Sequence, residues 1–499
     1  MNRRRFLRNS LATAVAASLP ARDGLAALLG PSAKVAADID AITGDGAEIT
    51  LGRAAVQELA DSLRGNLLLP GHEAYESARH VINASIDKHP ALIAQCRGVA
   101  DVQKAVDFAR ESSLLTAVKC GGHSHSGKST CNGGLMIDLS THRHVHVDPK
   151  AKIARVSGGS LLGDMDHESM SFGLVTTAGT VSHTGVGGLT LGGGFGRLAR
   201  RYGLTIDNVR GFELVTPDGQ FRRANASENP DLYWALRGGG GNFGIVTSFE
   251  FQLHEMDRTV IGGIVGFPIN EARQVLEFYA DYSLEAPDEL GLEMLMVGSS
   301  PANSLITLAV CYCGPHRDMD PILTKIRSAG TVVVDTVGAM DYVALQKSGD
   351  VNDVRAIGSY TKSGFLSELS PDFIDTIVRS FEAREGRTTV FATQHAGGAI
   401  NRVAPNATAF PHRNVNYIPL LIIDWPIDSD PQEHIAWLKQ TWKAIEPHIQ
   451  GFYTNDLIDE TQKQVDENYL GNYDRLVEIK NRWDPTNLFR LNANVRPTV

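Results

Sequence analysis

Cysteine is scarce in this chain, with five residues in 499 and no regular spacing. This excludes a disulfide-dense scaffold, and strand alternation accounts for Cys311 and Cys313 better than a metal site does. Long apolar runs are also missing. After the N-terminal segment described below, no stretch reaches the ~18 apolar residues that a membrane helix needs. Acidic residues outnumber basic ones by 57 to 47, a net charge of -10, which argues against nucleic acids and anionic membranes as partners.

The first residues have a composition of their own. Arg3, Arg4 and Arg5 precede Phe6-Leu7, and a mild apolar run over residues 11–19 follows. A basic and an apolar region in this order are typical of a secretory signal, here with the Arg-Arg-x-Phe-Leu core of the twin-arginine type. The pattern predicts a signal over residues 1–27, recognition by the twin-arginine export machinery, and a periplasmic or secreted mature protein. A basic amphipathic or disordered N-terminus is the alternative.

Three glycine-rich stretches stand out in the first half of the chain. They are Gly-Gly-His-Ser at residues 121–124, residues 185–196, and residues 238–241, which precede Asn242. Glycine brings backbone N–H groups close to a phosphate, because no Cβ intervenes. Together the stretches predict a diphosphate cofactor whose reactive ring lies within reach of His123. A Rossmann NAD site is not expected, since the tract lacks the βαβ unit and the following acidic residue.

Apolar periodicity divides the chain into two regions. Up to residue 255 it predicts short strands at 90–96, 115–119 and 135–139 and a helix at 101–110. From residue 256 onward, several strand-like segments alternate with helical ones, at 262–267, 270–284, 292–297, 306–313, 320–328, 371–385, 388–394, 417–425 and 431–449. The pattern indicates an α+β fold whose second part is an antiparallel α/β domain.

The order of the motifs carries a resemblance to a known family. After the glycine stretches come residues 231–244, Phe-Pro-His-Arg at 410–413 and Asp-Pro-Thr-Asn-Leu-Phe at 484–489. This set resembles the FAD-linked oxidases of the vanillyl-alcohol oxidase fold, in the berberine-bridge-enzyme-like branch. The resemblance implies a two-subdomain FAD-binding domain over residues 28–255 and an antiparallel-sheet α/β substrate-binding domain over residues 256–452. It also implies that residues 453–499 return to the FAD-binding domain.

The resemblance also implies how the cofactor is held. In the family, the histidine of the Gly-Gly-His-Ser loop, here His123, is joined to the 8α-methyl group of FAD. Many members add a thioether from a cysteine where this chain has Val181, so a single covalent link is expected. The other implied cofactor-binding residues are Gly121, Gly122, Ser124, His125, Gly127, Gly179, Thr180, Thr184, Gly185, Gly187, Gly188, Gly192, Gly193, Gly194, Gly196, Asn242, Gly244, Ile245, Val246, Asn492 and Asn494.

Oxidation of an alcohol requires a base that removes the hydroxyl proton. In the family, tyrosines or an acid over the flavin fill this role. The candidates here are Tyr453, Tyr469 and Tyr473, although packing also accounts for Tyr469 and Tyr473. His395 is a candidate substrate contact. Asp424 is the one carboxylate in the predicted strand at 417–425, and we expect it to face outward at the strand end.

The function that the resemblance implies is that of an exported FAD-dependent oxidase. It would move a hydride from an alcohol or amine carbon of a small-molecule substrate to FAD, with O2 as the electron acceptor and H2O2 as the product. Two alternatives stay open, namely a flavin dehydrogenase with a periplasmic electron acceptor and an inactive flavin- or ligand-binding protein. No metal ion is expected.

Overall fold

The computed structural model describes residues 34–298, 300, 303–350, 357–384 and 387–499. The predicted export signal at residues 1–27 lies outside this range. Short 3-10 turns connect several of the elements below.

The strands are, in chain order, β1 (Ile39–Ile42), β2 (Glu48–Leu51), β3 (Asn66–Leu68), β4 (Leu92–Gln95), β5 (Thr116–Lys119), β6 (Leu135–Asp138), β7 (Val145–Asp148), β8 (Ile153–Ser157), β9 (Leu174–Val175), β10 (Val209–Val215), β11 (Phe221–Asn225), β12 (Ile245–Gln252), β13 (His254–Glu255), β14 (Thr259–Pro268), β15 (Leu290–Gly298), β16 (Ser304–Tyr312), β17 (Val334–Asp335), β18 (Gly338–Asp341), β19 (Ile357–Ser363), β20 (Thr388–His395) and β21 (Tyr417–Pro426).

The α-helices are α1 (Arg53–Ser62), α2 (Tyr75–Arg79), α3 (Val99–Glu111), α4 (Leu162–Met170), α5 (Val186–Leu191), α6 (Ala199–Tyr202), α7 (Pro230–Leu236), α8 (Ala272–Glu285), α9 (Met319–Arg327), α10 (Tyr342–Lys347), α11 (Pro371–Glu382), α12 (Gln432–Ile445), α13 (Gln462–Asn468) and α14 (Tyr473–Trp483).

Two sheets form the part of the chain that carries the glycine stretches. The first has the order β3-β4-β6-β5, with β4 and β5 both parallel to β6. The second has the order β11-β10-β12-β8-β7 and is antiparallel throughout. On α3, Val102, Ala105, Val106 and Ala109 recur at helical spacing and are buried in the core of the first sheet, as this spacing predicts.

The third sheet is larger and antiparallel. Its order is β17-β14-β16-β15-β20-β21-β19, and β18 also pairs with β14. Helices α8, α11 and α12 cover one face of the sheet, where Tyr279, Phe373 and Leu438 pack against strand residues such as Met294 and Leu421. The predicted α+β fold with an antiparallel α/β part is therefore confirmed. The proposed domain boundaries stay predictions.

The opposite face of this sheet borders a cleft. Alternate residues of β15, β20 and β21 keep partial exposure, whereas the residues between them are buried under the helices. Because side chains alternate between the two faces of a strand, the partly exposed set points to one side. We call this side the cleft face. It includes Leu295, Ala392, Leu420, Ile422 and Asp424.

Candidate active site

The first two glycine loops are in direct contact. A Cβ atom at Gly121 would lie 2.6 Å from the backbone nitrogen of Gly185, and a Cβ atom at Gly185 would clash with Gly121 and the Cys120 side chain. Only glycine lets the two backbones approach this closely. Gly188 differs, because a Cβ there would meet nothing within 4 Å. The loops predicted to share a cofactor are thus brought together, with open space beside α5.

The second glycine stretch is fixed by a residue that we predicted as a catalytic base. The Tyr453 hydroxyl accepts a hydrogen bond from the Gly194 backbone N–H at 3.0 Å and another from Asn455 Nδ2 at 2.7 Å. Gly193 and Gly194 have φ angles of 129° and 83°, a region that favours glycine. Burial raises the pKa of Tyr453 above its usual value. Tyr453 therefore holds the glycine stretch, and its action as a base stays a prediction.

His123 lies in a group of three imidazole rings. Its ring centroid is 5.1 Å from that of His183 and 5.7 Å from that of His125. Burial, together with the charges of His125 and His183, lowers the pKa of His123 to about 3. Its Nε2 atom is buried and has no hydrogen-bond partner within the described residues. The imidazole is therefore neutral near pH 7 and retains a nitrogen lone pair that can form a bond.

The end of the described chain lies against the third glycine stretch. Asn242 Nδ2 donates to the carbonyl of Ala493 at 2.9 Å, and Asn242 Oδ1 accepts from the N–H of Val495 at 2.9 Å. The Oδ1 atoms of Asn492 and Asn494 are buried and form no hydrogen bond with any described residue. Buried polar atoms are normally satisfied. The two asparagines thus leave acceptors available for a bound group.

The loop at residues 179–185 is anchored from several sides. The carbonyl of Gly179 accepts from Gln346 Nε2 at 2.8 Å, and that of Thr180 accepts from Arg197 Nη1 at 3.0 Å. The Thr184 carbonyl accepts from the N–H of Leu162 at 2.9 Å. Five other predicted residues lie in defined local structure. The Ser124 hydroxyl accepts from the Lys128 N–H, Gly127 and Gly244 adopt positive φ, and Ile245 and Val246 begin β12.

These features fit FAD. Backbone N–H groups of glycine-rich loops suit its diphosphate, a neutral histidine with a free nitrogen suits an 8α link, and the unsatisfied asparagine oxygens can accept from its polar groups. Within the described residues no group of three or more His, Cys, Asp or Glu side chains is arranged to hold a metal ion.

Asp424 and Asp456 are two of the carboxyl groups at this side of the sheet, and Glu293 of β15 also stands on the cleft face. Asp424 stands on the cleft face of β21 opposite Ser359 of β19, rather than outward in solvent. Burial raises the pKa of Asp424, whereas the Ser359 hydroxyl lowers it. Asp456 lies beside Ser363 at the other end of β19, and burial raises its pKa to about 6 despite the effect of that hydroxyl. A carboxyl group with such a pKa can exchange protons near neutral pH.

Two other predicted residues lie elsewhere. His395 is on the helix-covered face of the sheet, where its Nε2 atom is 2.9 Å from the carbonyl oxygen of Ser283 and its ring lies beside Tyr279. Tyr473 begins α14, and its ring is 6.5 Å from that of Tyr469. None of the contacts described for these side chains reaches the cleft. Their roles as a substrate contact and a base stay predictions.

Sequence reasoning missed three features of the site. Asp456 follows Tyr453 by three residues, and nothing in the local pattern marks it. The alternation Ser-x-Thr-x-Ser at residues 359–363 is visible in the sequence, but the face that it lines is not. Asn83 is buried, and its side chain donates to the carbonyls of His125 and Ser359 at 2.8 and 2.9 Å. It thereby joins the His123 loop to the strand that carries the hydroxyl groups.

Comparison with known proteins supports FAD as the cofactor of this chain. Residues 90–225 match the FAD binding domain, and residues 453–496 match the family described as berberine and berberine like. An FAD-linked oxidoreductase of Dictyostelium discoideum is 33% identical over 89% of this chain and 97% of its own length. No helix of the described residues is long and apolar enough to cross a membrane.

Solved structures that share the fold include two oxidases. The 6-hydroxy-D-nicotine oxidase of Arthrobacter nicotinovorans superposes with a TM-score of 0.80 at 27% identity, over 87% of this chain and 98% of its own. Glucooligosaccharide oxidase of Acremonium strictum, which has a 6-S-cysteinyl, 8α-N1-histidyl FAD, gives a TM-score of 0.79 at 26% identity, over 87% and 97%. The relatives thus include an oxidase of an amine and an oxidase of a carbohydrate.

Proposed function

The chain belongs to the berberine-bridge-enzyme-like FAD-linked oxidoreductases, and from this premise we propose that it is an exported oxidase with FAD bound covalently to His123. Bound FAD would supply the acceptor for a hydride from an alcohol or amine carbon and would carry the electrons to O2, with H2O2 as the product. The observation that supports the proposal most is the neutral, unpartnered imidazole of His123 where two glycine loops meet. Export is proposed from the arginine-rich N-terminus.

The link through His123 is single. Val181 stands at the position where a second, thioether link would need cysteine. Its Cγ2 atom lies close to Gly349, 3.5 Å from the point that a Cβ atom on this glycine would occupy. A valine side chain has no atom that can form a thioether. The protein therefore depends on one covalent bond and on the glycine loops to retain its cofactor.

Asp456 is the base in our proposal. The substrate loses a hydride from carbon and a proton from the attached hydroxyl or amine group, and the carboxylate of Asp456 accepts this proton as the carbonyl or imine forms. The carboxyl group lies beside Ser363, and its pKa of about 6 leaves it mostly ionised at pH 7. Tyr453 acts beside it by holding Gly194. The variants Asp456→Asn and Tyr453→Phe distinguish the two roles. The first removes the group that accepts the proton, and the second removes the hydroxyl that holds Gly194.

The visible spectrum before and after acid precipitation tests the covalent link. We expect absorbance near ~450 nm, typical of a flavin cofactor, to stay with the washed pellet of the wild type. The His123→Ala variant should release its flavin into the supernatant, whereas the matched His125→Ala variant should retain it. Flavin released from the wild type would refute the covalent link, and a folded protein without any flavin would refute the proposed function.

A further inference from the structure

We propose that Asp350 is a positioning residue of the flavin site. Its carboxylate holds the turn at residues 181–184, which we call the His183 turn, beside His123, and its negative charge keeps the reduction potential of the flavin low. The inference deepens the proposed function and rests on it in one respect, namely that the flavin is bound at His123.

Helix α4 holds one side of the His183 turn. The turn is closed by the Thr184 N–H, which donates to the carbonyl of Val181 at 3.2 Å. The N–H of Leu162, in the first turn of α4, donates to the carbonyl of Thr184 at 2.9 Å. The next N–H, of Gly163, donates to the carbonyl of Ser182 at 2.8 Å. The first turn of α4 thus fixes two carbonyl groups of the His183 turn.

Asp350 holds the turn from the other side. One carboxylate oxygen accepts from the Ser182 N–H at 2.8 Å, and the other accepts from the Ser182 hydroxyl at 2.6 Å. Hydrogen bonds to a carboxylate are stronger than those to a neutral acceptor. With the bond from Gly163, the N–H, the carbonyl and the hydroxyl of Ser182 all have a partner. Ser182 is therefore held by contacts from two separate parts of the chain.

The segment that carries Asp350 packs along the loop before the turn. The Gln346 side chain, at the end of α10, is 1% exposed and donates to the carbonyl of Gly179 at 2.8 Å. A Cβ atom on Gly349 would lie 2.9 Å from the carbonyl oxygen of Thr180, so the two backbones are in close contact. These contacts and those of Asp350 follow the same order along both segments. The segment thus lies against the loop over its whole length.

This arrangement brings the charge of Asp350 near the flavin link. His183 follows Ser182, and its ring centroid is 5.1 Å from that of His123. Burial has the largest effect on the pKa of His123 and lowers it, whereas the Asp350 carboxylate raises it. Reduction adds electrons to a flavin, and a fixed negative charge nearby opposes this. A lower potential makes the reduced flavin a stronger reductant, which favours the transfer of its electrons to O2.

Other charged groups also face the loop. Arg197 Nη1 donates to the carbonyl of Thr180 at 3.0 Å, and Asp166 accepts from Gln346 Nε2 at 3.3 Å. Lys347 lines a surface pocket together with His183. These groups stay in place when Asp350 is exchanged. The exchange therefore changes one charge against a constant background.

The midpoint potential of the flavin tests the effect of the charge. It is measured on the holoenzyme by equilibration with a reference dye during slow reduction by xanthine and xanthine oxidase. Asp350→Asn keeps the shape of the side chain and removes its charge. We expect this variant to raise the equilibrium constant for two-electron reduction at least threefold, equivalent to about 14 mV. Asp350→Glu retains the charge, and its equilibrium constant should differ from that of the wild type by less than threefold.

The matched control is Asp341→Asn. It removes the same charge from the other end of α10, where Asp341 caps the N–H of Ala344, and it should change the equilibrium constant less than threefold. Hydrogen–deuterium exchange of peptides covering residues 179–185 tests the positioning. Asp350→Ala removes both acceptors of Ser182, so we expect at least tenfold faster exchange there, with no change in Asp341→Asn.

Several results would overturn the inference. They are a shift below threefold in Asp350→Asn, a shift of equal size in Asp350→Glu or Asp341→Asn, and unaltered exchange in Asp350→Ala. The exchange measurement does not require that the variants retain flavin. A wild type without flavin would refute the proposed function and this inference together, whereas wild-type flavin with the same potential in Asp350→Asn would refute the inference alone.

Discussion

The Asn83 side chain links an edge strand to the loop that carries His123 through hydrogen bonds. β19 lies at the edge of the large sheet, and its outer side is covered in part by the Asn83 side chain. The Nδ2 atom donates to the carbonyls of His125 and Ser359, and Oδ1 accepts from the N–H of Ser359 at 3.2 Å. The change Asn83→Ala removes these three hydrogen bonds, and also the two that Oδ1 accepts from the N–H and the hydroxyl of Ser85. It tests whether this side chain holds the two parts together.

The expected cost follows from the groups left behind. Asn83 is 4% exposed, so its removal leaves backbone groups of His125 and Ser359 unsatisfied in a largely buried place. Each such group costs about 1–3 kcal/mol, and water that enters the space recovers part of this. We therefore expect the free energy of local opening of β19 to fall by about 2–4 kcal/mol, which is a roughly 30- to 900-fold faster amide exchange.

Hydrogen–deuterium exchange of peptides covering β19 measures this change. The control is Asn132→Ala, which removes a single hydrogen bond, to the N–H of His89 at 2.8 Å, on the surface. We expect the control to leave exchange in β19 unaltered. An acceleration of less than about fivefold in Asn83→Ala, equivalent to about 1 kcal/mol, would show that β19 is held by other contacts and would refute the reasoning.

Three further predictions concern buried ionisable groups. The ratio kcat/KM should fall as the pH drops through about 6, where Asp456 becomes protonated, and Asp456→Asn should lower kcat by about 10²- to 10⁴-fold. Burial lowers the pKa of His412 to about 4, so below about pH 6.5 the unfolded chain binds a proton that the folded chain lacks. In urea denaturation, the free energy of unfolding should therefore fall by about 3 kcal/mol more in the wild type than in His412→Asn between pH 7 and pH 4. Lys480 and Asp484 form an ion pair 0% exposed, and Lys480→Met should cost about 3–5 kcal/mol in thermal unfolding, whereas Lys463→Met, in an exposed pair, should cost less than about 0.5 kcal/mol.

Local patterns were enough for much of the fold. The strands at 90–96 and 417–425 and the helix at 371–385 were predictable, because apolar periodicity and flanking residues specify them. In α11, for example, the Ser370 hydroxyl caps the N–H of Phe373, and a proline occupies the first turn. The glycine loops were predictable as well, since their role depends on backbone freedom within a few residues.

The cleft was not predictable, because it depends on pairings between distant residues. Asn83 meets Ser359 across 276 positions, and the register of β19 against β21 decides which carboxylate faces inward. The contact of Tyr453 with the glycine loop was not predictable either, because its hydroxyl accepts a hydrogen bond from a backbone N–H 259 residues away. His395 was within reach of prediction, since it alternates in phase with the buried Phe391 of β20.

The contacts that complete the glycine loops have a consequence for biosynthesis. Tyr453 is made 259 residues after Gly194, and Val495 is made 253 residues after Asn242. At about 5–20 residues per second, roughly 12–50 s pass between the emergence of each loop and that of its partner. During this time the glycine loops lack these partners, so we expect cofactor insertion to follow the translation of the second half of the chain.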